Sequence, residues 1–250
     1  RSNDTNHPIH VYLRMTKPTP TRNIVIALGL LSFWLAFLCQ QVVLDGVPHV
    51  PDESNYLVQA QLFASGQRVD SDFVAPNSFV LAFWFNWLPF SASSFPIGWP
   101  LLLSIGVLLN IAHLINPLIC ALLPFLGWQF FRLYQSPEDN PHLPVLAASI
   151  LAVSPGIWFM GASWMPHTSC LAALFILALG CHQRQWAVMA GIGWAYILLA
   201  RPFDGVLICG ALFLLLFRHY KSLSWILSIL IPPLCAGCLI LYDNWTITGD

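Results

Sequence analysis

The chain has 250 residues, of which 57% are hydrophobic and only 8% charged, and its formal net charge is -1. A water-soluble domain carries about 25% charged residues, so a mean hydropathy of +0.69 excludes an ordinary soluble globule. Without a basic excess the chain also lacks the electrostatic footprint of a nucleic-acid binder, whose partner's phosphates require one.

The first apolar run covers residues 23–44, enough to cross about 30 Å of hydrocarbon. It is too long for a secretory signal and lacks a small-residue cleavage site. Arg14, Lys17 and Arg22 precede it, and the positive-inside rule assigns segment 1–22 to the cytoplasm. Residues 45–98 then form a long first outer loop, longer than a loop without a task needs to be. Pro48-His49-Val50-Pro51 stiffens the exit from the membrane. Asp52 suits a helix N-cap, and Glu53 falls in the first turn, where the helix dipole favours negative charge. Residues 52–65 have helical periodicity, with Tyr56, Ala60, Phe63 and Ala64 on one face and Asn55, Gln59 and Gln61 off it. Gly66 is a natural terminator. An amphipathic helix lying along the membrane surface is expected. The rest of the loop is aromatic (Phe73, Phe79, Phe83, Trp84, Phe85, Trp87, Phe90, Phe95) and suits an interface. Trp84, Trp87 and Trp99 read as interfacial anchors.

Further apolar runs follow at 99–113, 116–134, 143–158, 167–181, 186–200, 203–217 and 224–242. Arg132, Arg184, Arg218 and Lys221 can all face the cytoplasm only if 99–113 does not cross alone. It is short and carries Pro100 near its start, so it is expected to dip in and return or to lie partly buried. The fold class is therefore an all-α polytopic membrane protein of about seven transmembrane helices plus one re-entrant or interfacial segment. Under this parity Asp45, Asp52, Glu53, Asp70, Asp72, Arg201, Asp204, Asp243 and Asp250 share the outer face. Residues 23–250 read as one membrane-embedded domain, and the polar end at Asp250 reads as the edge of a longer protein whose C-terminal part lies further on. The seven cysteines all fall in apolar runs, which argues against a disulfide framework. Cys235-Ala-Gly-Cys238 lies mid-span without a second pair and reads as small packing residues.

Paired acids beside a bilayer are costly to desolvate and tend to mark a site. Here the residues become familiar. Pro51-Asp52-Glu53-Ser54-Asn55-Tyr56, opening a helix that ends in glycine after a first span, resembles the first outer loop of GT-C-fold glycosyltransferases. Phe95-Pro96-Ile97-Gly98-Trp99-Pro100 resembles that family's Pro-rich segment before the next membrane helix. Ser154-Pro155 with Met165-Pro166-His167-Thr168, then Arg201-Pro202-Phe203-Asp204, then Asn244-Trp245-Thr246-Ile247-Thr248-Gly249 resemble its later motifs in order. Pro166 stands where the family has serine. The likeness is to bacterial members of the mannosyltransferase-like branch. It implies transfer of a sugar from a polyprenyl-phosphate carrier to a lipid, glycan or protein acceptor, on the periplasmic face of the bacterial inner membrane.

The resemblance implies that Asp52 is the general base, with Glu53 its neighbour or its substitute. Either acid could hold a divalent cation, although no second ligand set of clear spacing accompanies them. Arg201 is the candidate for the carrier phosphate, because a guanidinium fork matches phosphate oxygens; an Arg201–Asp204 ion pair fixing a helix junction is the alternative. His167 reads as a phosphate or acceptor ligand, or as a helix cap. His49 is placed to join the acids, and Tyr56 to brace them. A transporter or flippase of lipid-linked sugars needs charges at mid-membrane and paired broken helices, whereas these charges collect at one rim. A non-catalytic membrane scaffold subunit is the remaining alternative.

Overall fold

A computed structural model of the chain describes residues 20–69, 84–87, 90–136, 138, 140–217 and 222–248. Arg14, Lys17, Asp70, Asp72, Phe73, Phe79, Phe83, Arg218, Lys221 and Asp250, on which parts of the topology and loop readings rest, lie outside the described residues. Helix α1 (Pro20–Leu38) runs through a π-helical turn at Cys39–Val43 into the first loop. There follow α2 (Pro51–Ala64), strands β1 (Trp84–Trp87) and β2 (Phe90–Ser93), α3 (Gly98–Leu108), α4 (Ile115–Tyr134), α5 (Leu143–Val153), α6 (Pro155–Ala162), α7 (His167–His182) and α8 (Ala187–Ala200). The chain ends with α9 (Pro202–Asp204), a second π-helical turn at Gly205–Cys209, α10 (Gly210–Phe217) and α11 (Leu223–Thr248).

Each apolar run in the sequence yields a helix near the expected bounds. By length and composition, however, three helical stretches are long and apolar enough to cross a membrane: Thr21–Val43, Ala112–Leu133 and Leu223–Thr248. A fourth is gained if α5 and α6, bent by 46° at their junction, form one broken span. That is fewer than the expected seven, because α7, α8 and Pro202–Leu215 are apolar but shorter. The break within 143–158 has a local cause. Pro155 cannot donate to the helix ladder and pushes Ser154 out of helical geometry, to φ -63° and ψ 118°. The outward positions of α1 and α11 are apolar, including Ile26, Leu30, Trp34, Ile231, Leu234 and Leu241.

The helices pack in sequence: α1 against α4, α5 and α6; α4 against α5 and α7; α7 against α8; α8 against α11; and α2 against α3. Small residues bring the axes close, as they do between helices in membranes. A Cβ on Gly191 of α8 would lie 2.8 Å from the carbonyl oxygens of Ser228 and Ile229 on α11. One on Gly98 would lie 2.6 Å from the backbone of Leu199, so glycine lets α3 begin directly against the end of α8.

Helix α3 has 11 residues, about 16 Å. Its second residue is Trp99, whose indole N–H donates to the Trp164 carbonyl at 2.7 Å. Its turn into α4 passes through Asn110 at φ 57°, and Asn116 of α4 donates back to the carbonyl of Met165, beside Trp164. Both ends of this short hairpin thus adjoin the α6–α7 junction. Trp99 is fully buried, so it is a core residue rather than an interfacial anchor.

Three other expectations are corrected. The first loop contains an antiparallel hairpin pairing Trp84 with Ser93 and Trp87 with Phe90, so the described residues are not purely α-helical; aromatic residues favour strands as well as interfaces. The N-cap of α2 is Val50, with Pro51 opening the helix and no side-chain cap bond, because proline is preorganised for the first helical position. Finally, α2 is not amphipathic in the expected sense. It buries Glu53, Asn55, Tyr56, Gln59 and Ala60, and Asn55 and Gln59 are inside rather than off the buried face. Gly66 does terminate it, at φ 77°.

Candidate functional site

One apolar cluster unites Tyr56 and Ala60 of α2, Trp99 and Leu103 of α3, Trp164 from the α6–α7 junction and Ala200 at the end of α8. It forms the floor on which the polar residues of 49–56, 163–168 and 201–204 are assembled. Glu53 is only 4% exposed. One of its carboxylate oxygens accepts the backbone N–H of His49 at 2.7 Å, the other that of Trp164 at 3.2 Å. A buried carboxylate so engaged joins the loop before α2 to the α6–α7 junction. Asp52, one residue earlier, is half-buried.

Burial is the main cause that pushes the Tyr56 phenol up to about 12; the negative charge of Asp52 adds to this and the guanidinium of Arg201 opposes it. The phenol therefore keeps its proton at neutral pH and lies within the fields of both Asp52 and Arg201. Its ring packs on Phe95 with centroids 4.9 Å apart. Arg201 is held where α8 ends, its backbone N–H donating to the Ile197 carbonyl at 2.7 Å. Its Nε pairs with Asp204 at 2.7 Å across one helical turn, both side chains being partly exposed. The ion pair anticipated as an alternative is thus formed, and a π-helical turn follows Asp204; such turns recur at functional sites.

His167 opens α7. With Cys170, Arg201 and Asp204 it lines a cavity of about 150 Å³, and its Nδ1 is buried without a partner among the described residues. His49 differs from expectation: its exposed ring contacts the Leu44 carbonyl at 2.9 Å, and it meets Glu53 only through its backbone N–H. His167, Arg201 and Asp204 therefore line one cavity, Tyr56 shares an apolar cluster with Ala200, the residue before Arg201, Glu53 is committed to backbone N–H groups, and the His49 ring stands apart. Among the described residues no three His, Cys, Asp or Glu side chains converge as a metal site, and all seven cysteines are free thiols.

Sequence reasoning missed Asn116. Its amide donates to the carbonyls of Ser163 at 2.6 Å and Met165 at 2.9 Å, and its oxygen accepts the Thr168 hydroxyl at 2.7 Å. A single asparagine at the head of an apolar run was the available signal, since a polar side chain in such a run needs partners. Asn116→Leu leaves two carbonyls and a hydroxyl short of partners. We expect a loss of about 1–3 kcal/mol, read as lower thermal stability in detergent. Tyr196 was missed too; its hydroxyl donates to Ser169 at 2.6 Å and ties α8 to α7 beneath the site.

Compared with known proteins, the chain matches no family model, no curated protein and no solved structure.

Proposed function

We propose that this chain is a glycosyltransferase of the GT-C type, moving a sugar from a polyprenyl-phosphate carrier to an acceptor on the periplasmic face of the bacterial inner membrane. The reading is carried by one observation: His167, Arg201 and Asp204 line one small cavity, and the half-buried Asp52 opens the helix whose Tyr56 shares an apolar cluster with Ala200, the residue before Arg201. Sugar transfer from a lipid phosphate needs a base for the incoming hydroxyl and a positive group for the departing phosphate. In the proposed step the Asp52 carboxylate takes the acceptor's O–H proton. The acceptor oxygen bonds to the anomeric carbon as the carbon–phosphate oxygen bond breaks, and the carrier phosphate leaves with the bonding pair towards Arg201 and His167. Glu53, with both oxygens on backbone N–H groups, positions Asp52 and takes no proton.

The same reading assigns seven crossings: α1, α4, α5 with α6, α7, α8, α9 with α10, and α11, while α3 remains at the outer rim. The contacts of Trp99 at the start of α3 and of Asn116 at the start of α4 with the α6–α7 junction support this. In a cysteine-free background, cysteine at Ser54 is expected to react with an impermeant thiol reagent from outside, and cysteine at Ser222 only after permeabilisation. Labelling of Ser222 from outside overturns the topology.

The function is tested by incubating the reconstituted protein with a panel of radiolabelled polyprenyl-phosphate sugars. Consumption of one is expected, and consumption of none removes the proposal. Arg201→Ala is expected to weaken binding of the carrier phosphate by about tenfold or more, the effect of losing a charge-assisted contact of about 1.5–3 kcal/mol; unchanged affinity excludes that role.

A further inference from the structure

A second polar cleft lies on the other side of the Arg201–Pro202 segment, and the reaction above leaves it unused. Its volume is about 300 Å³, at the lower edge of the range for ligand pockets. Arg68, just past α2, meets Asp243 near the end of α11 there. Its Nη2 donates to one carboxylate oxygen at 2.7 Å and its Nε to the other. The two side chains are 24% and 15% exposed, so this two-pronged pair is far better shielded than Arg201–Asp204. Arg68 also lies over the Phe63 ring. The third guanidinium nitrogen, Nη1, is buried without a partner among the described residues. Ser93 and Asn244 contribute further polar groups to the cleft, and Phe95, Pro96 and Pro202 an apolar wall.

We infer that this cleft is the acceptor subsite and that it binds a neutral, polyhydroxylated group, a sugar residue of the acceptor; this rests on the transferase reading. The Arg68 and Asp243 charges cancel. An anion would face the Asp243 carboxylate and a cation the Arg68 guanidinium, so neither is favoured over a neutral ligand. The cleft offers N–H donors on Arg68 and oxygen acceptors on Asp243 side by side. A hydroxyl both donates and accepts, so a pair of neighbouring hydroxyls satisfies such a surface. The C–H face of a sugar ring suits the wall made by Phe95 and the prolines. The position is also apt: Pro202 lines this cleft while Arg201 and Asp204 line the cavity proposed for the carrier phosphate, so the two ligands meet across one peptide segment.

The test uses the full chain in nanodiscs and saturation-transfer NMR with a panel of methyl hexosides and methyl pentosides, with inorganic phosphate as the anionic control. At least one glycoside is expected to bind, with phosphate not competing. Asp243→Asn and Arg68→Met are each expected to weaken that binding at least tenfold, and Arg201→Ala to leave it unchanged. Should the pair variants fail to fold, Asn244→Leu, altering an exposed side chain at the rim, is expected to weaken glycoside binding in a folded protein. Binding of no glycoside, displacement by phosphate, or wild-type binding in Asp243→Asn or Asn244→Leu overturns the inference and makes Arg68–Asp243 a structural clasp. The assay contains no lipid donor. Its failure therefore leaves the transferase reading standing, and a chain that binds glycosides but consumes no polyprenyl-phosphate sugar loses the transferase reading alone.

Discussion

Asp52→Asn is expected to lower sugar transfer by about 10²–10⁴-fold, the usual contribution of a general base, with folding and donor binding preserved. Asparagine keeps the shape of the side chain and removes its capacity to take a proton. Asp52 is only half-buried at the second position of α2, so the exchange orphans no deeply buried group, and helix α2 begins at Pro51 without a side-chain cap to lose. The fall should therefore appear in the single-turnover rate and not in the unfolding midpoint. Asp52→Glu should restore part of the rate, because a carboxylate returns at a shifted position. A wild-type rate for Asp52→Asn removes Asp52 from the mechanism.

The positions of the helices were legible in the sequence because charges and prolines punctuate the apolar runs, and hydrophobic burial has no local competitor there. The shortness of α3, 11 residues, was legible from the length of its apolar run and Pro100 near its start. What escaped notice depends on distant partners. Gln59 is fully buried, and its amide approaches the Phe95 carbonyl, 36 residues away, at 3.5 Å; periodicity alone placed it outside. Arg68 and Asp243 lie 175 residues apart, and no local pattern links them. The hairpin at residues 84–93 was hidden because its aromatic residues fit an interface and a strand equally well. For the candidate site, residues 167, 201 and 204, singled out in the sequence, line one cavity, while the different burial of the adjacent acids 52 and 53 was not legible. That difference arises from which carboxylate meets the backbone N–H of Trp164, 111 residues further along.

The two acids should consequently fail in opposite ways. Glu53→Gln is expected to destabilise the fold by about 3 kcal/mol, because hydrogen bonds to a charged acceptor are worth about 1.5–3 kcal/mol each and glutamine can replace only one of the two. Its amide nitrogen would be a donor set against the N–H of either His49 or Trp164, both of which now point at carboxylate oxygens. For a chain of this length such a loss lowers the unfolding midpoint by about 6–12 °C, measurable in detergent with a thiol-reactive dye on the buried cysteines. Transfer should decline with the folded fraction and recover towards wild type at low temperature, where Asp52 is still held in place. A variant that stays fully stable but loses transfer at every temperature would show that Glu53 exchanges a proton with substrate, and would move the base from position 52 to position 53. The contrast between a loss of rate at 52 and a loss of stability at 53 follows from the proposed reaction and from the two backbone bonds of Glu53. Asp52 is half-buried, and Glu53 is committed on both oxygens to joining α2 to the junction before His167.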